Sequence, residues 1–238
     1  MKLGFIGAGE MGGAIIRGLL KTGWRAQEIL ASVRTPEKAN LLASTLGIAA
    51  YTDNARVIRE ADRLFLAVKP AQMPQVLAEI AAAQVAAKPL ISMALGWTIE
   101  KIERVLPGWP IVRMMPNTPL ALSEGVTLFQ FAVATPPNIR REVKHLFDKM
   151  GHTYEIAPDV FDGATAVSGS GPALVYYFID ALVQAGQAQG LDETTARELA
   201  IQTTLGAAKM AHLDGLFLKA QAEHALSNKT LESIHKSL

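Results

Sequence analysis

The chain has 238 residues, 50% of them hydrophobic, enough for one large domain or two smaller ones with a sizeable core. Its 23 basic and 22 acidic residues leave a net charge of +1, which gives no electrostatic footprint for nucleic acid or an anionic membrane and favours a small soluble ligand. There is no cysteine, which excludes disulfides, thiolate metal sites and a cysteine nucleophile.

The chain opens with KLGFI at residues 2–6, a short apolar strand. Gly7, Gly9 and Gly12 follow, and residues 14–20 continue with helical periodicity. The lone lysine before the strand lacks the features of a signal peptide, so a cytoplasmic location is expected. In GAGEMG, residues 7–12, the first glycine permits a tight turn, the second lets backbone approach a pyrophosphate, and the third lets the helix pack on the strand. A pyrophosphate would sit on free N–H groups at the helix N-terminus, where the helix dipole favours negative charge.

The next strand, 29–33, distinguishes the two nicotinamide dinucleotides. NAD binders place an acid about 20 residues after the glycines to take the ribose 2′-hydroxyl. Here the strand ends Ser32-Val33-Arg34-Thr35, with Lys38 nearby and no acid. Ser32 and Arg34 suit a 2′-phosphate, so NADPH is the expected cofactor and NADH the alternative. Further strands are expected at 48–51, 64–68, 90–93, 111–114 and 126–131, with helical stretches between most of them. That alternation predicts a mostly parallel α/β sheet with helices on both faces. Asp53-Asn54, Val68-Lys69-Pro70, Met93 to Gly96 and the turn Met115-Pro116-Asn117-Thr118-Pro119 all follow carboxyl ends of strands, where such sheets bind ligands. The plainer alternatives are a helix cap for Asn54 and a surface lysine for Lys69.

From Phe161 onward strand signals stop, and helices are expected at 172–189 and 193–213. Gly190 stands where a helix C′ residue would, and Asp192 is placed to cap the second helix, which predicts a hairpin. The expected division is a Rossmann-like domain over 1–157 and an all-helical domain over 158–238. The first long helix is apolar nearly all round, with Leu174, Val175, Tyr176, Tyr177, Phe178, Ile179, Leu182 and Val183, so a second subunit is expected to cover it. Asp180 and Gln184 interrupt it, and no apolar run is expected to reach the ~18 residues needed to span a bilayer. Ser168-Gly169-Ser170-Gly171 lacks the glycine and preceding strand of a hydrolase elbow and reads as a loop capping the next helix. His145, His152, His212, His224 and His235 show no metal-ligand spacing, so no metal is expected.

Taken together, FIGAGEMGGAI, LFLAVKPAQMPQVL, IVRMMPNTPLALSEGVT, FDGATAVSGSGPALVYYFIDALVQAGQAQGL and QTTLGAAKM resemble the pyrroline-5-carboxylate reductase family of proline biosynthesis over about residues 1–212. The resemblance implies a Rossmann-like domain, a helical dimerisation domain that makes an obligate homodimer or an assembly of dimers, and NAD(P)H-dependent reduction of 1-pyrroline-5-carboxylate to L-proline. It implies that the pyrophosphate lies along Ile6, Gly7, Ala8, Gly9, Glu10 and Met11, with Gly12 packing behind. The adenosine phosphate falls near Ser32 and Arg34, and Asn54, Val68, Lys69 and Pro70 line the adenine and ribose side. The nicotinamide falls near Ala94 and Asn117, while Ser170 and Gly171 help to close the substrate pocket. No catalytic acid or base stands out, as expected for an already electrophilic iminium that needs alignment with its reductant. The family carries a glycine-rich SPGG-type loop after the AAKM helix to hold the substrate carboxylate. This chain continues AHLDGLFLKAQAEHALSNKTLESIHKSL after Met210, so an altered or shortened end is expected after about residue 212. That departure keeps a second reading open, a dinucleotide-binding interaction protein with impaired turnover. A β-hydroxyacid dehydrogenase is disfavoured because 172–189 lacks the lysine which that class places on this helix.

Overall fold

The structure, a computed structural model, describes residues 1–213. It divides into two compact units, Met1–Ser170 and Gly171 onward. The first is a Rossmann-like eight-stranded sheet: β1 (Leu3–Ile6), β2 (Ile29–Ser32), β3 (Ala49–Tyr51), β4 (Arg63–Leu66), β5 (Leu90–Ser92), β6 (Ile111–Pro116), β7 (Gly125–Phe131) and β8 (Gly151–Glu155). The spatial order is β3-β2-β1-β4-β5-β6-β7-β8, and every pairing is parallel except β6 with β7. The order reverses direction at β1, where a doubly wound sheet opens its ligand crevice.

Successive residues of a strand point to opposite faces, so the inner strands feed two cores. Phe5 and Phe65 stack at 4.6 Å on one face, beneath α1 (Glu10–Lys21) and α6 (Pro137–Asp148), which contribute Ile15, Ile16, Leu19, Val143 and Phe147. Ile6, Leu64 and Leu66 face the other way, under α3 (Asn54–Glu60), α4 (Met73–Ala82) and α5 (Ile99–Glu103), which contribute Val57, Ile58, Leu77, Ile80 and Ile102. Local signals set the helix ends. Thr35 accepts from the Lys38 backbone N–H at the start of α2 (Pro36–Leu46), and Gly47 closes that helix at φ 69°. Asp53, rather than Asn54, caps α3 by accepting from the Ala55 N–H at 2.8 Å.

The structure adds elements to the expected pattern. Strand β8 was not anticipated: its GHTYE sequence is an edge strand, mostly exposed on both faces, and therefore lacks a hydrophobic period. The two compact units divide after Ser170, so α7 (Phe161–Ser168) goes with the sheet unit. This helix is fastened to the sheet unit because Phe161 is fully buried, with the guanidinium of Arg113 from β6 4.1 Å above its ring. The same guanidinium meets Asp162 at 2.6 Å.

In the second unit α8 (Gly171–Ala188) and α9 (Glu193–Leu213) form the expected hairpin. Gly190 lies at φ 94°, and Asp192 accepts from the Thr195 N–H at 3.0 Å. Gly186 lets the helices approach: a Cβ there would stand 3.2 Å from that of Ala196. Val183, Ala196 and Ala200 form a small core, while Leu174, Val175, Tyr176 and Phe178 remain exposed. Within the helical run Pro158–Ala188, 31 residues, an 18-residue window has a mean hydropathy of 1.3, so the run is long and apolar enough to cross a membrane by length and composition alone. This corrects the expectation that no run reaches that length: an acid such as Asp180 lowers the average over a helix, but the leucine, valine, isoleucine and phenylalanine around it outweigh it. Only 11% of its most apolar window is buried within the chain.

Candidate functional site

The site is built on the turn between β1 and α1. Gly7 lies at φ 86°, and a Cβ there would be 2.8 Å from the Ala67 carbonyl oxygen. At Gly12 an added Cβ would lie 2.6 Å from the Gly7 carbonyl oxygen, so this glycine lets α1 sit close to the strand end. Gly9 is different. It sits at φ −77°, on the negative side that other residues use, and a Cβ there meets nothing within 4 Å. The chain's own packing does not require a glycine at this position, and the space above its backbone is open.

The turn hangs from β2. The N–H groups of Gly7 and Ala8 both donate to the Ser32 carbonyl, at 3.0 and 3.3 Å. In the first turn of α1, Glu10, Met11 and Gly12 carry N–H groups without intrahelical acceptors, the kind of helix start where an anion can bind. The Ser32 hydroxyl donates to Asn54 Oδ1 at 2.6 Å, and Asn54 Nδ2 donates to Glu79 Oε2 at 2.6 Å. Across the crevice Val68 and Lys69 follow β4, and the Lys69 N–H donates to Gln72 Oε1 at 3.2 Å.

These elements enclose a cleft of about 530 Å³ at the carboxyl ends of β1, β2, β3 and β4. Of the residues singled out in the sequence, Ile6, Gly7, Ala8, Gly9, Ser32, Arg34, Asn54, Val68 and Lys69 line it. Arg34, Lys38 and Lys69 supply three cations, and no Asp or Glu is among the lining residues. An acid-free wall with three cations, above a glycine turn, fits a phosphorylated dinucleotide. Thr52, Gln72, Gln75 and Val76 also line the cleft and had not been anticipated. Thr52 had a signal, its place just after a strand; the others stand one helical turn or more past the strand end, where sequence shows no facing direction.

The remaining sequence-predicted residues lie elsewhere. Glu10, Met11 and Gly12 open α1 beside the cleft, and Pro70 begins a short 3₁₀ turn, Pro70–Gln72. Ala94 follows β5 and is 2% exposed, packed into the core beneath α4 and α5. Asn117 follows β6 with its amide engaged at both ends. Its Oδ1 accepts from the Val126 N–H at 2.8 Å and its Nδ2 donates to the Ser168 carbonyl at 3.0 Å, leaving one amide hydrogen uncommitted. Ser170 is exposed after α7, and Gly171 opens α8. The altered end expected after residue 212 lies, apart from Leu213, outside the described residues.

Residues 2–96 match the family described as NADP oxidoreductase, coenzyme F420-dependent, and residues 158–230 match the one described as pyrroline-5-carboxylate reductase dimerisation. A pyrroline-5-carboxylate reductase of Mycobacterium tuberculosis is 36% identical over 216 residues, covering 88% of this chain and 73% of the relative. The chain belongs to the pyrroline-5-carboxylate reductase family. The solved pyrroline-5-carboxylate reductase of Coxiella burnetii superposes with a TM-score of 0.84 at 27% identity, over 99% of this chain and 95% of that one. The Plasmodium falciparum pyrroline carboxylate reductase, solved with NADP bound, gives 0.82 at 26% identity, over 100% and 95%. The match to the pyrroline-5-carboxylate reductase dimerisation family runs to residue 230, past residue 212 where the resemblance was expected to end.

Proposed function

We propose that this chain reduces 1-pyrroline-5-carboxylate to L-proline, with NADPH preferred to NADH. The observation that carries the reading is the cleft over Gly9, cationic and without acids, in a member of the pyrroline-5-carboxylate reductase family. The pyrophosphate is assigned to Gly9 and the first turn of α1, and a 2′-phosphate to Arg34 and Lys38, with Ser32 facing the 2′ position beside them. Asn54, Val68 and Lys69 are assigned to the ribose and adenine. When bound, the reduced nicotinamide supplies a hydride equivalent. The overall reaction adds that hydride to C5 of the ring and a proton to its nitrogen, turning the C=N bond into an amine. An iminium accepts hydride readily, so the chain's contribution is to hold the two reactants in register and keep water out. The Asn117 amide, held at both ends, has one hydrogen left with which to orient a bound group.

The test measures binding and turnover separately. Titration calorimetry should give tighter binding of NADPH than of NADH, and Arg34→Ala should weaken NADPH by roughly 10- to 100-fold while leaving NADH nearly unchanged. Equal affinities in the unaltered chain would remove the assignment of a 2′-phosphate to Arg34 and Lys38. Consumption of reduced cofactor with pyrroline-5-carboxylate tests the activity. A second reading, binding without turnover, draws on the absence of an SPGG sequence after Met210. Normal NADPH affinity without turnover, restored by grafting an SPGGTT loop after Met210, would favour it.

A further inference from the structure

Glu79 on α4 is outside the lining of the cleft, yet it is bonded to the residue that touches Ser32. Its Oε2 accepts from Asn54 Nδ2 at 2.6 Å and its Oε1 accepts from Gln75 Nε2 at 2.8 Å. With both carboxyl oxygens of Glu79 accepting, the Asn54 amide is held with its NH₂ group toward α4 and its oxygen toward β2. The amide oxygen in turn takes the hydroxyl hydrogen of Ser32 at 2.6 Å. Ser32 lines the cleft and is 1% exposed, and what its hydroxyl has left to offer is lone pairs. A lone pair suits a ribose 2′-hydroxyl, which can donate. It opposes a 2′-phosphate, whose oxygens only accept. Arg34 and Lys38, on the same wall, pull in the other direction.

We propose that Glu79 is a positioning residue for cofactor choice: acting through Asn54, it fixes the direction of the Ser32 hydroxyl and so restrains the preference for a 2′-phosphate that Arg34 and Lys38 create. The proposal rests on reading the cleft as a dinucleotide site. Without Glu79 the Asn54 amide can turn its NH₂ toward Ser32, whose hydroxyl hydrogen is then free for a phosphate oxygen.

The test uses 2′,5′-ADP and 5′-AMP, which differ only in the 2′-phosphate, titrated against the full chain by calorimetry, with thermal melts as a check on folding. In Glu79→Ala the ratio of the two affinities should move toward 2′,5′-ADP by about 3- to 10-fold, the size of one hydrogen bond. Glu79→Gln, whose amide can accept from Asn54 or turn over and donate to it, should move the ratio in the same direction as Glu79→Ala and by no more. In a Ser32→Ala background, Glu79→Ala should leave the ratio where it was. A general weakening of the cleft wall would instead lower both affinities alike, and that result, or an unchanged ratio in Glu79→Ala, overturns the proposal. If neither nucleotide binds the unaltered chain, the dinucleotide reading itself falls, and the role of Glu79 falls with it.

Discussion

Gly9 and Gly12 stand three residues apart in one motif and answer to different constraints. An added Cβ at Gly12 would press on the Gly7 carbonyl at 2.6 Å, whereas one at Gly9 would enter open cleft. Gly12→Ala should therefore lower stability by about 1–3 kcal/mol in thermal melts of the ligand-free chain. Gly9→Ala should cost about 1 kcal/mol or less in the same melts, yet weaken NADPH tenfold or more by calorimetry. Comparable melting losses in the two variants would remove the distinction. The steric roles of Gly7 and Gly12 were legible because a tight turn restricts what each position can be. The end of β2 was legible as part of the cleft wall, which Ser32 and Arg34 line. What could not be read was the direction of hydrogen bonds: that the Gly7 and Ala8 N–H groups are committed to Ser32, or that residue 79 reaches residue 54 from another helix.

Asn117 joins elements that are distant in sequence. One side chain holds the first residues of β7 through the Val126 N–H and the end of α7 through the Ser168 carbonyl, from a position that is 7% exposed. Asn117→Ala would leave both groups short of a partner and should lower stability by about 2 kcal/mol or more in denaturant unfolding. A loss below about 0.5 kcal/mol would mean that water replaces the amide. The inner strands and the long helices were readable because burial on one or two faces imposes a period on their sequences. Strand β8 was not, because it is defined by its partner: Gly125 pairs with Gly151, and a Cβ on Gly151, at φ 133°, would fall 2.0 Å from the Gly125 carbonyl oxygen. Such pairing depends on backbone contact between two glycines and has no hydrophobic signature. Helix α7 was missed for a related reason, since its anchors, Phe161 and Asp162, are both supplied with a partner by Arg113 on a distant strand.

For the whole molecule, the exposed apolar side chains of α8 demand a cover, and membership of a family with a dimerisation domain points to a second copy of the chain. Sedimentation at micromolar concentration should find a dimer or a larger even assembly. Leu174→Glu combined with Tyr176→Glu, at positions 68% and 61% exposed in the single chain, should shift it toward monomer while the sheet unit keeps its fold. A monomer in the unaltered protein would overturn this reading. The need for a second subunit was legible in the sequence as a helix without a polar face; which face pairs was not, because every side of that helix is apolar enough to serve. The exposed apolar face of α8 also bears on how the protein is made. A chain that has just left the ribosome carries that face uncovered until a sister chain arrives. Pairing is second order in chain, so scarce expression should leave more of it held by chaperones or lost to proteolysis, and abundant expression should spare it.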